Sequence, residues 1–136
     1  MQTKKNVIKL GATNPTRDFN FVEDTCRSYI AVANSSKTLG EVVNSASNFE
    51  ISIGETALLI SKIMNSEIDI VQANERVRPE KSEVNRLFGC NDKLLRLTGW
   101  KPKFSGLDGF KKGLSLTIDW FKDPTNLSYY SENYEI

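Results

Sequence analysis

Two arginines carry the most chemistry in this sequence: Arg17 in "PTRDF" and Arg78 in "RVRPE", each in an extended, proline-containing context between regular elements. A guanidinium is a planar fork whose N–H groups match phosphate oxygens two at a time. Two such forks on distant loops can clasp a diphosphate. Exposed arginines beside acids are more often solvated or loosely paired, and on spacing alone that reading wins.

Other side chains offer less. The chain has no histidine, which removes the usual general base near neutral pH. Cys26 and Cys90 stand far apart without metal-ligand neighbours, so neither a zinc site nor a disulfide framework is expected. Cys26 reads as a small core residue on the apolar face of a helix. Glu23 and Asp24 fall in a first helical turn, where negative charge complements the helix dipole, and read as capping rather than acid-base residues. The glycines of "GLDGFKKG", residues 106–113, are irregularly spaced and follow no strand, which makes the stretch a core helix and not a phosphate cradle. Trp100, Phe104, Trp120 and Phe121 read as packing, with Phe121 inward.

These residues need elements to position them. "NVIKLG" reads as a first strand, and "ATNPTRD" after it as turn-rich, because Pro15 restricts Asn14 to extended geometry. Asn20 and Glu23 form a capping box for a first helix, with Val22, Cys26, Tyr29, Ile30 and Ala33 on its apolar face. "GEVVNSAS" is expected as a second strand. Ser52 and Glu55 box the head of a second helix, whose stripe runs through Ile53, Thr56, Ala57, Ile60, Ile63 and Met64. "IDIV" follows as a third strand. The polar run from Gln72 to Gly89 is long enough to be a functional loop. Asn91 caps "DKLLRLT", which Gly99 closes. Ser105 and Asp108 open a last helix with a stripe of Leu107, Phe110, Leu114, Ile118 and Phe121, stopped by Asp123-Pro124.

Three short strands with about four helices predict one α/β (mixed α+β) domain over residues 1–136. Hydrophobic residues are 39% and charged residues 26% of the chain, a balance that suits a globular protein and not a disordered one. No stretch approaches the roughly 20 apolar residues that span a bilayer, so a cytoplasmic protein without a membrane partner is expected. Lysines and arginines are scattered among acids for a net charge of +1, which excludes a broad nucleic-acid footprint. Any anion contact must be local.

The ordered set "KLG", "TRDFNFVEDT", "GEVVN", "ISIGE", "RVRPEKSEV", "NDKLLRLTGWKP" and "GLDGFKKGLSLTIDWF" resembles the C-terminal, substrate-binding half of extended short-chain dehydrogenases/reductases that act on nucleotide sugars. Within that superfamily, "RPEKSEV" and the ending "WFKDPTNLSYYSENYEI" are most similar to the NAD-dependent 4,6-dehydratases of legionaminic-type nonulosonic acid synthesis. The resemblance implies that Arg17 and Arg78 bind the diphosphate of a nucleotide sugar, of UDP- or GDP-N-acetylglucosamine type. It also implies that Ile8, Lys9 and Leu10 line the base pocket, with Leu10 where some members place an aromatic ring. Asn44 matches the asparagine of the family's N-[IVL]-G-[ST]-G strand end, although Asn44 to Asn48 lacks the glycines. Asn44 is then structural, and Asn48 suits a positive-φ turn better than Ala46.

Enzymes of this kind use NAD, a glycine-rich Rossmann loop and a Tyr-x-x-x-Lys pair. The sequence shows neither: Tyr29 is followed four residues on by Ala33, Tyr129 by Asn133 and Tyr130 by Tyr134. The chain is therefore expected to be a fragment of a two-domain enzyme. It would carry no catalytic residue or cofactor of its own, with NAD held in the full-length enzyme by an N-terminal Rossmann half. Two alternatives stand beside this: the same portion of a nucleotide-sugar 4-epimerase, or a free-standing module that docks on a separate Rossmann chain or self-associates.

Overall fold

The computed structural model describes residues 6–76, 82 and 84–130. Strand β1 (Asn6–Leu10) is followed by β2 (Thr16–Asp18), α1 (Val22–Ala33), β3 (Glu50–Ser52), α2 (Ile53–Ile63) and β4 (Ile68–Gln72). Then come β5 (Arg86–Leu87), α3 (Asp92–Thr98), α4 (Gly106–Lys122) and α5 (Pro124–Leu127), with 3-10 turns at Ser36–Thr38 and Asn74–Arg76. The strands form two small sheets. β1 and β4 pair in parallel, Asn6 opposite Ile68 and Leu10 opposite Gln72. β2 lies between β3, antiparallel, and β5, parallel.

The mixed α/β class is the one the sequence predicts, but its strands are distributed differently. "NVIKLG" and "IDIV" form strands as expected. "GEVVNSAS" does not: it joins no ladder among the described residues, and Val42 is 83% exposed. A strand exists only where a neighbour accepts its backbone groups, and no described strand lies beside this run. β2, β3 and β5 were not foreseen, since two or three residues carry no readable alternation.

Helix ends follow local chemistry closely. The Ser52 hydroxyl accepts the Glu55 N–H at 3.1 Å while the Glu55 carboxylate accepts the Ser52 N–H at 3.1 Å, completing the expected box. Gly99 closes α3 at φ +74°, where only glycine is unstrained. α4 stops at Asp123, whose carboxylate accepts the Thr125 N–H at 2.8 Å and so starts α5, a helix not foreseen. Three expected caps are absent. Ser105 holds the N-cap position of α4, but its hydroxyl donates to the Ser47 carbonyl. Asn20 donates to the Ser45 carbonyl at 2.9 Å instead of capping α1, where Phe21 holds the cap position. Asn91 sits at the start of α3, but its side chain turns to residues 46 and 48.

The core gathers phenylalanines from several elements. Phe21 meets Phe104 at 4.3 Å between ring centroids, and Phe110 meets Phe19 at 5.7 Å and Phe49 at 5.8 Å. Leu94 is fully buried and Trp100 nearly so. "GLDGFKKG" lies in α4 as expected, and its glycines serve close approach. A Cβ on Gly109 would stand 2.4 Å from the Phe104 carbonyl carbon, and one on Gly113 3.3 Å from the Phe21 ring. Phe110 and Ile118 of the α4 stripe are buried, but Phe121 is not inward: it is 37% exposed and packs against Trp120 and Tyr130 at the surface.

α1 departs most from expectation. Its buried residues are Asp24 and Ser28, while Val22, Tyr29 and Ile30 are exposed, as is Cys26. The Asp24 carboxylate accepts the N–H groups of Lys103, at 3.0 Å, and Phe104, at 2.8 Å, and pairs with Arg27. Those bonds compensate its desolvation and turn the polar face inward. Asp24 is therefore a tertiary anchor rather than a dipole cap, and Cys26 is no core residue.

Candidate functional site

Being parallel, β1 and β4 end at the same edge, and the loops that follow both strands leave from there. The Leu10 carbonyl accepts the Ala73 N–H at 2.7 Å, and the Lys9 carbonyl accepts Arg76 Nη1 at 3.1 Å. Gly11 makes that crossing feasible, because a Cβ there would lie 2.3 Å from the Arg76 carbonyl oxygen. The loop 11–15 then passes over the start of α2, where the carbonyls of Thr13 and Pro15 accept the N–H groups of Gly54, at 2.9 Å, and Ile53, at 3.1 Å. Helix-start donors that lack intrahelical partners are thereby used to pin the loop.

The pinned loop delivers Arg17 on β2, half-buried and opposite Ile51 and Leu87. Its Nη1 donates to the Thr16 carbonyl at 2.8 Å. The opposite face, to which Thr16 points, carries a separate ion pair. Glu50 accepts two guanidinium nitrogens of Arg86, at 2.8 Å for Nε and 2.6 Å for Nη2, and the Thr16 hydroxyl at 2.9 Å. The Arg86 hydrogen bond, helped by Thr16, holds the Glu50 carboxyl below its ordinary value of 4.5.

Asp18, next to Arg17, is committed elsewhere. One carboxylate oxygen accepts the Ser47 N–H at 2.9 Å and its hydroxyl at 2.6 Å; the other accepts the N–H groups of Asn48, at 3.1 Å, and Gly89, at 3.3 Å. This carboxylate thus ties β2 to two distant segments. Asn48 takes φ +56°, as expected for the glycine-poor strand end. Its amide exchanges hydrogen bonds with Asn91 at 3.0 and 3.1 Å, and Asn91 donates to the Ala46 carbonyl at 2.8 Å. Asn44 itself is exposed.

Of the residues singled out in the sequence, Arg17, Lys9 and Leu10 are placed, and Arg78 lies outside the described residues. Lys9 and Leu10 are successive in β1 and so project to opposite faces. A base at this edge can meet the side chain of one and only the backbone of the other. Sequence reasoning missed Asp18 and Arg76, and it read Asp24 as a capping residue and not as the anchor of Lys103 and Phe104. Among the described residues, no three His, Cys, Asp or Glu side chains gather as a metal site, and no helix is long and apolar enough to cross a membrane.

Residues 1–113 match the family model for GDP-mannose 4,6 dehydratase. The chain belongs to this family. The GDP-6-deoxy-D-mannose reductase of Pseudomonas aeruginosa is 31% identical over 85% of this chain and 36% of its own length. Human dTDP-D-glucose 4,6-dehydratase is 28% identical over 83% of this chain and 31% of its own. In structure, an epimerase from Methanothermobacter thermautotrophicus superposes with a TM-score of 0.77 at 28% identity, covering 90% of this chain and 34% of the epimerase. The chain therefore spans about a third of the length of the relatives it matches, and it is a nucleotide-sugar dehydratase/epimerase-type domain of the extended short-chain dehydrogenase/reductase fold.

Proposed function

We propose that residues 1–136 form one substrate-binding domain of a larger, NAD-dependent nucleotide-sugar 4,6-dehydratase, and that this domain grips the diphosphate with Arg17 and Arg78. The observation that carries the reading is the mounting of Arg17. It sits on the middle strand of a sheet, and its chain neighbour Asp18 ties that strand to residues 47, 48 and 89. An anion-binding arginine needs such a rigid mount, because a planar fork already fixed in place loses less freedom when it meets phosphate.

Lys9 and Leu10 stand at the carboxyl end of a parallel strand pair, the edge where open α/β sheets bind ligands. A nucleotide base there, with the sugar beyond the diphosphate, accounts for the position of both. An N-acetylglucosamine sugar on uridine or guanosine diphosphate is the substrate implied by the resemblance. NAD and the catalytic groups belong to a Rossmann half outside these residues.

A thermal melt with saturating UDP, GDP or dTDP tests the reading. A ligand that binds only the folded state adds about 2.7 kcal/mol at a hundred times its dissociation constant. The expected result is a shift with one diphosphate that Arg17→Ala and Arg78→Ala each remove. A cooperative melt that no diphosphate shifts, or a shift that survives both substitutions, would sink the clamp.

A further inference from the structure

The chain that leaves β4 stays fastened to the end of β1. The last ladder pair is Leu10 opposite Gln72. Beyond it, the buried Ala73 donates its N–H to the Leu10 carbonyl at 2.7 Å, and the Arg76 N–H returns to the Ala73 carbonyl at 3.0 Å, closing the 3-10 turn Asn74–Arg76. The exposed Arg76 side chain then reaches back across the edge, where its Nη1 donates to the Lys9 carbonyl at 3.1 Å. Such a bond from a cation is stronger than one between neutral groups. Main chain meets main chain as well. A Cβ on Gly11 would stand 2.3 Å from the Arg76 carbonyl oxygen and 3.0 Å from its carbonyl carbon, so only glycine admits the crossing. Arg76 is thereby tied to three successive residues: to Leu10 through Ala73, to Lys9 through its guanidinium, and to Gly11 by backbone contact.

We propose that Arg76, seated on Gly11, is a positioning residue for diphosphate binding and acts through Arg78. The inference rests on the clamp of Arg17 and Arg78 and adds what sets the spacing of its two jaws. Both arginines hang from this one crossing. Arg17 follows Gly11 in the chain, by way of the loop that the Thr13 and Pro15 carbonyls pin to the start of α2. Arg78 follows Arg76 by two positions. Two residues span at most about 7 Å, so the place of Arg76 bounds the reach of Arg78 towards Arg17. A two-fork grip needs both forks at a set separation, and a binding group held too loosely loses far more than one contact. The guanidinium suits the task, since its planar fork gives up less freedom per hydrogen bond than a lysine stem does.

A double-mutant cycle tests this, by calorimetric titration of the 136-residue chain with UDP, GDP and dTDP, well below the melting temperature of every variant. Arg76→Met keeps the bulk and removes the donor, and it is expected to weaken diphosphate binding about tenfold. In the Arg78→Ala background the same substitution is expected to change affinity less than about twofold, because a residue that acts through Arg78 then has nothing left to position. Gly11→Ala, whose Cβ forces the crossing apart, should repeat both results from the other side; if that variant does not fold, Arg76→Met decides alone. Equal losses in the two backgrounds make Arg76 an independent phosphate contact and overturn the inference, as does unchanged affinity on Arg76→Met. Amide exchange gives a readout without nucleotide. Arg76→Met is expected to speed exchange of the Ala73 N–H at least about tenfold through local opening, and an unchanged rate means that the crossing does not depend on Arg76, which also overturns it. If no diphosphate binds, or Arg78→Ala leaves affinity as it was, the clamp fails and this inference with it. A loss on Arg78→Ala without one on Arg76→Met removes the positioning role alone.

Discussion

The Asp24 carboxylate and the Phe104 N–H meet at 2.8 Å although eighty residues separate them. The same carboxylate takes the Lys103 N–H and pairs with Arg27, so one side chain of α1 fixes the loop that leads into α4. It decides which way α1 faces and, with that, which surface remains open.

Asp24→Ala leaves two backbone donors and a guanidinium without their acceptor in a buried site. Destabilisation of about 3 kcal/mol is expected, measured by urea unfolding, with Asp24→Asn intermediate because an amide oxygen can still accept one bond. A loss under about 0.5 kcal/mol, typical of free surface, would mean the anchor is not formed.

Asn48 combines a left-handed backbone with a side-chain pairing to Asn91. Both Asn48→Gly and Asn48→Ala lose the pairing, but only alanine adds strain at positive φ, a difference of about 1 kcal/mol. The alanine variant should therefore melt lower than the glycine variant. The opposite order contradicts the turn geometry.

Alanine is normally the better helix residue by about 1 kcal/mol, yet Gly109→Ala is expected to destabilise. Its Cβ meets Phe104 backbone at 2.4 Å, and backbone cannot swing aside. Gly113→Ala meets the Phe21 ring at 3.3 Å and should cost less. Denaturant midpoints of the two variants give the ranking directly.

Acid should weaken the fold in a defined window. Hydrogen bonds from Arg86 lower the Glu50 pKa, and those from the Ser52 hydroxyl and N–H lower that of Glu55, both from 4.5. A carboxyl whose pKa is lower in the folded state contributes stability above its unfolded value and loses it as pH falls through the folded one. Unfolding midpoints should accordingly hold from pH 7 to about 5 and fall below the ordinary carboxylate value. Glu50→Gln and Glu55→Gln should each flatten that fall.

At Arg17, lysine preserves the charge and loses the planar fork. If phosphate is held bidentately, Arg17→Lys should weaken diphosphate binding by roughly tenfold or more, a loss of one charge-assisted bond, in calorimetric titration. Unchanged affinity would reduce Arg17 to a point charge.

Residue order alone determined the local devices. The Ser52-Glu55 box, the Gly99 stop and the Asp123-Pro124 break each depend on neighbours within four positions, so their chemistry is readable along the chain. The family was legible for a related reason: "RDF", "RP" and "GWKP" are short runs whose order survives without knowledge of contacts. Helical periodicity likewise placed Val22, Cys26, Tyr29 and Ile30 on one face of α1. What periodicity does not contain is a direction. Only the tertiary structure showed that face outward, because the choice was made by Lys103 and Phe104, whose N–H groups Asp24 reaches across some eighty residues of chain. "GEVVNSAS" failed as a strand for the same reason, since pairing belongs to a neighbour and not to the run itself. The mounting of Arg17 was hidden too: Asp18 is held by Ser47, Asn48 and Gly89, three partners that become its neighbours only when the chain has folded.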